Sequence, residues 1–192
     1  MSHLTVVVAS TGGPTALRQL LSVLPAQLKS GLIIVQHMPA GFTAALARHL
    51  DKETALRVRE AADGDYPRDG LALVAPGGFH LLLSPALRVI VDNERPPVHG
   101  VRPAADVTLG AVPVTQARRC TVIILTGMGR DGVEGAQRLR RHGAEVWAQD
   151  EASSVVFGMP GAAAALGIVD RMGDPEQLGH WLIKRVGGGT TE

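Results

Sequence analysis

Five short runs along the chain are apolar with almost no polar alternation: residues 4–9 (L-T-V-V-V-A), 32–36 (L-I-I-V-Q), 71–75 (L-A-L-V-A), 121–126 (T-V-I-I-L-T) and 145–149 (E-V-W-A-Q). Such runs suit strands buried on both faces, as in a parallel sheet covered by helices. Between them, helical patterns fall at about 14–24, 41–51, 104–117, 132–142, 160–168 and 174–186. Pro14 fits a first helical turn, and Asp174-Pro175 supplies a cap followed by proline. One region differs. Pro76-Gly77-Gly78 lies between two apolar runs and reads as a hairpin, with a further short strand at 88–91. The expected fold is α/β: a doubly wound, three-layer α/β/α, Rossmann-like arrangement with a mostly parallel sheet and an antiparallel edge hairpin. Residues 92–103 carry three prolines and one glycine. They are expected to form a long loop of the functional kind. One domain is expected over 1–186, with 187–192 (G-G-G-T-T-E) as a disordered tail.

Composition narrows the picture. A chain of 192 residues with 45% hydrophobic and 19% charged residues is an ordinary globular domain, long enough for a full core. A net charge of +1 and only six aromatic residues (Phe 3, Trp 2, Tyr 1) give no reason to expect nucleic acid as a partner. The densest basic stretch, R-L-R-R-H at 138–142, reads as a solvated helix face. The single cysteine, Cys120, excludes an intrachain disulfide and a cysteine-rich metal site, and it opens an apolar run as a buried thiol would. No histidine pair has clear zinc-ligand spacing, so no metal is expected. The N-terminus lacks the features of a signal peptide, and no apolar run approaches 18 residues. A cytoplasmic location without membrane insertion follows as the expectation.

Three of the apolar runs end in different polar groups: Ser10 after the first, His37 after the second and Asp131 just beyond the fourth. In an open parallel sheet, ligands bind in the crevice at the carboxyl ends of the strands. A nucleophile, a general base and an orienting acid could therefore meet there. Each also has a plainer reading: Ser10 as a helix N-cap in a glycine-rich turn, and His37 as a satisfied loop residue held off the helix by Pro39. Asp131 has a competing one. Gly127, Gly129 and Gly132 spell G-x-G-x-x-G between a strand and a helix, and Asp150 ends the next strand. That is the pattern of a dinucleotide-binding protein. A non-catalytic binding module that keeps the fold is a third possibility.

The segments A-S-T-G-G-P, V-Q-H-M-P-A-G-F, A-x-D-G-D with A-P-G-G-x-H, R-P-A-A-D-V, L-T-G-M-G-R-D-G and A-Q-D-E-A-S-S-V-V-F-G-M-P occur in order from residue 5 to about 170. In these motifs the chain resembles the catalytic domain of chemoreceptor protein-glutamate methylesterases (the CheB type). The resemblance implies a Ser-His-Asp triad in that chain order, with Ser10 as nucleophile, His37 as base and then acid, and Asp131 fixing the imidazole. It implies oxyanion donors at Met128 and, more weakly, Thr11. The reaction implied is hydrolysis of glutamate methyl esters on the cytoplasmic helices of chemoreceptors through an acyl-serine, with glutamine deamidation as a related activity and no cofactor. Arg102, on the proline-rich loop, is a candidate contact for the acidic receptor helix. Two departures stand out. Members usually carry an N-terminal receiver domain, whereas Met1 stands three residues before the first apolar run. Internal phosphorylation control is therefore not expected, and a separate receiver-domain protein becomes the candidate regulator. Arg130 occupies a slot where many relatives have Asn, putting a cation beside Asp131.

Overall fold

A computed structural model describes residues 1–187. Seven parallel strands form one sheet: β1 (Leu4–Ala9), β2 (Gly31–Gln36), β3 (Arg57–Glu60), β4 (Leu71–Val74), β7 (Cys120–Ile124), β8 (Glu145–Gln149) and β9 (Arg171–Gly173). Their order is β3-β4-β2-β1-β7-β8-β9. The chain fills one side of β1 with β2, β3 and β4 and then the other with β7, β8 and β9, so the topological switch point lies at β1. All five apolar runs read from the sequence are strands of this sheet.

Alternation along the central strands divides the core in two. Val7, Ala9, Leu32 and Ile34 pack against α1 (Gly13–Ser22), α2 (Phe42–Glu53) and α6 (Pro175–Val186). Val6, Val8, Ile33 and Val35 pack on the other face against α3 (Ala105–Ala111), α4 (Val133–Arg141) and α5 (Met159–Ala165). This is the expected three-layer arrangement. Continuing the alternation by one residue places Ser10 and His37 on the α3/α4 face.

Several boundaries differ from the expectation for identifiable reasons. The helix expected over 104–117 stops at Ala111, and Val114–Arg119 form a 3₁₀ segment, because Pro113 cannot continue the α-helical ladder. The antiparallel pair is present as a separate two-stranded sheet of β5 (His80–Leu83) and β6 (Val89–Asp92). Its turn lies at 84–88, and Pro76-Gly77-Gly78 instead link the parallel sheet to it. At Gly77 a Cβ would meet the Pro39 carbonyl oxygen at 2.4 Å, so only glycine admits the two loops side by side. The sequence patterns do not reveal β3 and β9, which are short edge strands. At the carboxyl end, Asp174 caps α6 in a full capping box with Gln177, as Asp174-Pro175 suggests. The tail expected over 187–192 falls, from residue 188 on, outside the described residues. Cys120 is buried, and burial pushes its thiol up to about 12. No helix among the described residues is long and apolar enough to cross a membrane.

The opposite end of the sheet from Ser10 holds a buried histidine. His3 Nε2 lies 2.9 Å from Thr121 Oγ1, and burial, aided by Arg185, lowers the imidazole pKa from 6.5 to about 4. The unfolded chain takes up this proton below about 6.5, whereas the folded chain does not until about 4. The contribution of neutral His3 to stability is therefore complete above the first value and lost progressively down to the second. Urea unfolding at pH 7 and pH 4.5 is expected to show the wild type losing on the order of 2 kcal/mol more than His3→Gln over that interval.

Candidate active site

The carboxyl ends of β1, β2 and β7 are tied together by backbone bonds that run past the strands. Ser10 N–H donates to the Thr126 carbonyl (3.0 Å), and His37 N–H donates to the Ala9 carbonyl (3.1 Å). After Ser10 the chain turns sharply through Gly12 (φ +81°) into α1, with Gly13 N–H returning to the Ser10 carbonyl at 2.8 Å. A serine at the tip of such a strand-to-helix turn presents its hydroxyl to the crevice.

From the β7 side the loop comes close. A Cβ on Gly127 would lie 2.6 Å from Ser10 Cβ and 2.5 Å from Met159 Sδ, so a side chain there would push the loop off the serine. The same loop carries Met128, which is 71% exposed, and then Asp131. Neither the Met128 nor the Thr11 backbone N–H has a hydrogen-bond partner among the described residues.

The structure brings His37 and Asp131 together. His37 Nε2 lies 2.7 Å from Asp131 Oδ2, and both side chains are almost fully buried. Donation to a carboxylate requires the proton on Nε2, which leaves the lone pair on Nδ1. Asp131 receives two further donors: Ala105 N–H at Oδ2 (2.6 Å) and Asp106 N–H at Oδ1 (3.0 Å). Burial alone would raise its pKa, but the hydrogen bonds from His37 and the two amides outweigh burial and hold the carboxyl below its ordinary value.

Asp106 and His99, which the sequence analysis left without roles, form the next shell. Asp106 Oδ1 accepts from Gly135 N–H in the first turn of α4 (2.8 Å), and its Oδ2 lies 3.1 Å from His99 Nε2. Burial, with the charge of Asp131 adding to it, raises the Asp106 pKa despite these bonds. The signal for Asp106 lay inside R-P-A-A-D-V, but nothing in that motif says which helix end the carboxylate reaches. Buried His80 steadies the same loop, with Nε2 on the Pro96 carbonyl (3.0 Å) and Nδ1 accepting from Ala104 N–H (3.2 Å).

Arg130 turns its guanidinium toward Glu134 (3.8 Å) on exposed surface. Arg102 Nη1 donates to the carbonyls of Asn93 (3.2 Å) and Arg95 (3.1 Å). Arg102 also helps to line a cavity of about 310 Å³ with His37, Met38, Pro39, Gly100 and Val101. Asp150 is engaged locally, accepting from Ser153 N–H at 2.9 Å.

A family model described as CheB methylesterase matches residues 5–182. The chain belongs to the CheB methylesterase family. A relative from Symbiobacterium thermophilum, named protein-glutamate methylesterase/protein-glutamine glutaminase, is 45% identical over 187 residues, covering 97% of this chain and 51% of its own length. A Pseudomonas aeruginosa protein, named protein-glutamate methylesterase/protein-glutamine glutaminase 1, is 42% identical over 184 residues, covering 95% and 49%. The chain thus spans about half the length of the curated relatives it matches. The crystal structure of the Thermotoga maritima CheB methylesterase catalytic domain superposes with a TM-score of 0.92 at 36% identity, covering 96% of this chain and 99% of that one. In this family setting the glycines of the G-x-G-x-x-G run shape the loop between Ser10 and Asp131. Gly127 packs on Ser10 and Met159.

Because Asp131 is the acceptor for three buried or half-buried donors, its removal should be felt in stability. Asp131→Ala is expected to lower the unfolding free energy by about 3 kcal/mol, and Asp131→Asn by less, since one oxygen remains to accept an amide. The depressed pKa fixes the sign of the pH effect. The carboxylate contribution is complete above the ordinary carboxyl range and lost as pH falls through the lower folded value. The gap between wild type and Asp131→Asn in urea unfolding should accordingly narrow in acid.

Proposed function

We propose that this chain is a serine hydrolase that demethylates glutamate methyl esters on the cytoplasmic helices of chemoreceptors. The reading is carried by the His37–Asp131 pair at 2.7 Å beside a serine on the adjoining strand end. The names of its relatives within the CheB methylesterase family point the same way.

In this mechanism Nδ1 of His37 takes the Ser10 proton as Oγ attacks the ester carbonyl carbon. Asp131 stabilises the imidazolium that forms and keeps the ring from turning. The tetrahedral oxyanion is met by the amides of Met128 and Thr11, which have no partner among the described residues to give up. His37 returns its proton to the methoxide, methanol leaves, and Ser10 is acylated. Water, deprotonated by His37, then opens the acyl-serine to the glutamate carboxylate. With a glutamine side chain the same steps release ammonia, so the chain also acts as a protein-glutamine deamidase.

The cavity beside His37 takes the receptor segment. Arg102 contributes to its wall with Nη1 held by two carbonyls, so it shapes the surface more than it offers a free charge.

Ser10→Ala is expected to reduce methanol release from methylated receptor by at least about 10⁴-fold, with a urea midpoint close to wild type. Turnover at the wild-type rate in this variant overturns the proposal.

A further inference from the structure

Gln36 is the last residue of β2 and is only 2% exposed. Its side chain lies on the α1 face of the sheet, beside Ala9, its register partner on β1. The amide nitrogen makes two hydrogen bonds. Nε2 donates to the Ser10 carbonyl at 3.0 Å and to the His37 carbonyl at 3.2 Å. Its oxygen makes none among the described residues: Oε1 is buried without a hydrogen-bond partner there, lying against the bare Cα of Gly13. A Cβ on Gly13 would come within 1.9 Å of Oε1 and 2.9 Å of Ala9 Cβ, so the amide occupies a slot that two small residues leave open.

Packing does not account for this arrangement. Buried carbonyls are nearly always paired, and an unpaired one is a burden that an apolar side chain of the same length would avoid. What an apolar side chain lacks is the planar NH₂ group, whose two protons span two carbonyls at a fixed separation. Those carbonyls belong to the two residues assigned above as nucleophile and base. The backbone ladder between β1 and β2 ends with the His37 N–H to Ala9 bond. Beyond it Ser10 turns into α1 and His37 enters the loop before α2, so the two chains diverge. The Gln36 amide joins them past that point.

We infer that Gln36 is a positioning residue that sets the separation between Ser10 and His37 by holding both backbone carbonyls with one amide. The inference rests on the Ser10–His37 reading under the proposed function. Gln149, at the end of β8, shows the same device in another register. Its Oε1 accepts from Thr126 N–H (2.8 Å) and its Nε2 donates to the Ser153 carbonyl (2.9 Å), with every group used.

The test compares wild type, Ser10→Ala, Gln36→Met and Gln36→Glu. The readouts are the second-order rate of fluorophosphonate labelling, kcat and KM on p-nitrophenyl acetate, and the urea midpoint. Gln36→Met keeps the length and removes the donor. Its labelling rate and kcat are expected to fall 10- to 100-fold, the scale of a sub-ångström misplacement, with KM within about twofold. In Gln36→Glu a buried carboxyl facing two carbonyls stays protonated to higher pH and keeps one donor. Its labelling rate relative to wild type is expected to lie above that of Gln36→Met near pH 6 and to fall toward it as pH rises to about 9.

If wild type labels at Ser10 and Gln36→Met labels equally fast, the positioning role is wrong and the triad reading stands. A change in KM alone also overturns it. If Gln36→Met does not fold, a Gln36→Glu ratio that stays flat with pH overturns it. If wild type fails to label at Ser10, or Ser10→Ala labels as fast, the triad reading has failed and the positioning role falls with it.

Discussion

A buried carboxylate is tolerated only where donors surround it, and in this fold the three donors around Asp131 come from two separate segments. Two of them are the first amides of α3, which has no side-chain cap of its own. Helix starts leave such amides unpaired and carry a partial positive charge. Asp131 is therefore the cap of α3, supplied from the loop before α4. The arrangement is reciprocal: Asp106, in the first turn of α3, accepts from Gly135 in the first turn of α4, which also lacks a local side-chain cap. Two helices thus cap each other through exchanged aspartates, and the third partner of Asp131 is His37. The orientation of the imidazole is consequently bound to the packing of α3 on α4. The site cannot loosen without uncovering two helix ends.

Close packing makes the exchange possible. At Gly135 a Cβ would lie 2.4 Å from Leu109 Cβ, so the glycine lets α4 approach α3 to within reach of Asp106. Gly132, with φ +90°, turns the chain from the Asp131 loop into α4, and a Cβ there would be 3.1 Å from Ala105 Cβ. The G-x-G-x-x-G pattern has the same physical content here as in a nucleotide site, namely a tight turn and near contact of backbones. The object approached is different. Gly127 meets a serine and a methionine, and Gly132 meets the start of α3.

The difference between what the sequence displays and what it hides follows from the range of each interaction. Strand ends are legible because burial on both faces leaves an unbroken apolar run, and the polar residue ending the run is then conspicuous. Ser10, His37 and the region of Asp131 all stand out in this way. Edge strands do not: β3 reads R-V-R-E, with one buried valine among solvated side chains, and β9 is three residues long. The break after α3 was signalled by Pro113, yet the spacing on either side of it suggests one helix. Cross-capping is invisible in the sequence, since Asp106 and Gly135 are 29 residues apart and no periodicity links them. Gln36 is hidden differently. It ends an apolar run as Ser10 and His37 follow theirs, but a glutamine announces no chemistry, and only its two bonds and one unpaired oxygen give it a role.

These observations divide the work of holding the site between two faces of the sheet. On the α3/α4 face, Asp131 fixes the imidazole ring by a charge-assisted bond at a buried location, where such bonds are stronger than in water, and the Asp106 amide steadies Asp131 in turn. On the α1 face, Gln36 holds the backbone behind the same imidazole by neutral bonds to carbonyls. A ring fixed only at Nε2 can still pivot with its Cα, and a Cα fixed only by strand pairing still leaves the ring free to rotate. In the proposed mechanism, placing Nδ1 against the Ser10 hydroxyl needs both restraints. At the carboxyl end of β2, a residue on one face of the sheet and its neighbour on the other supply them together. Strand alternation puts Gln36 and His37 on opposite faces as adjacent residues, so the pair of restraints follows from their order in the chain.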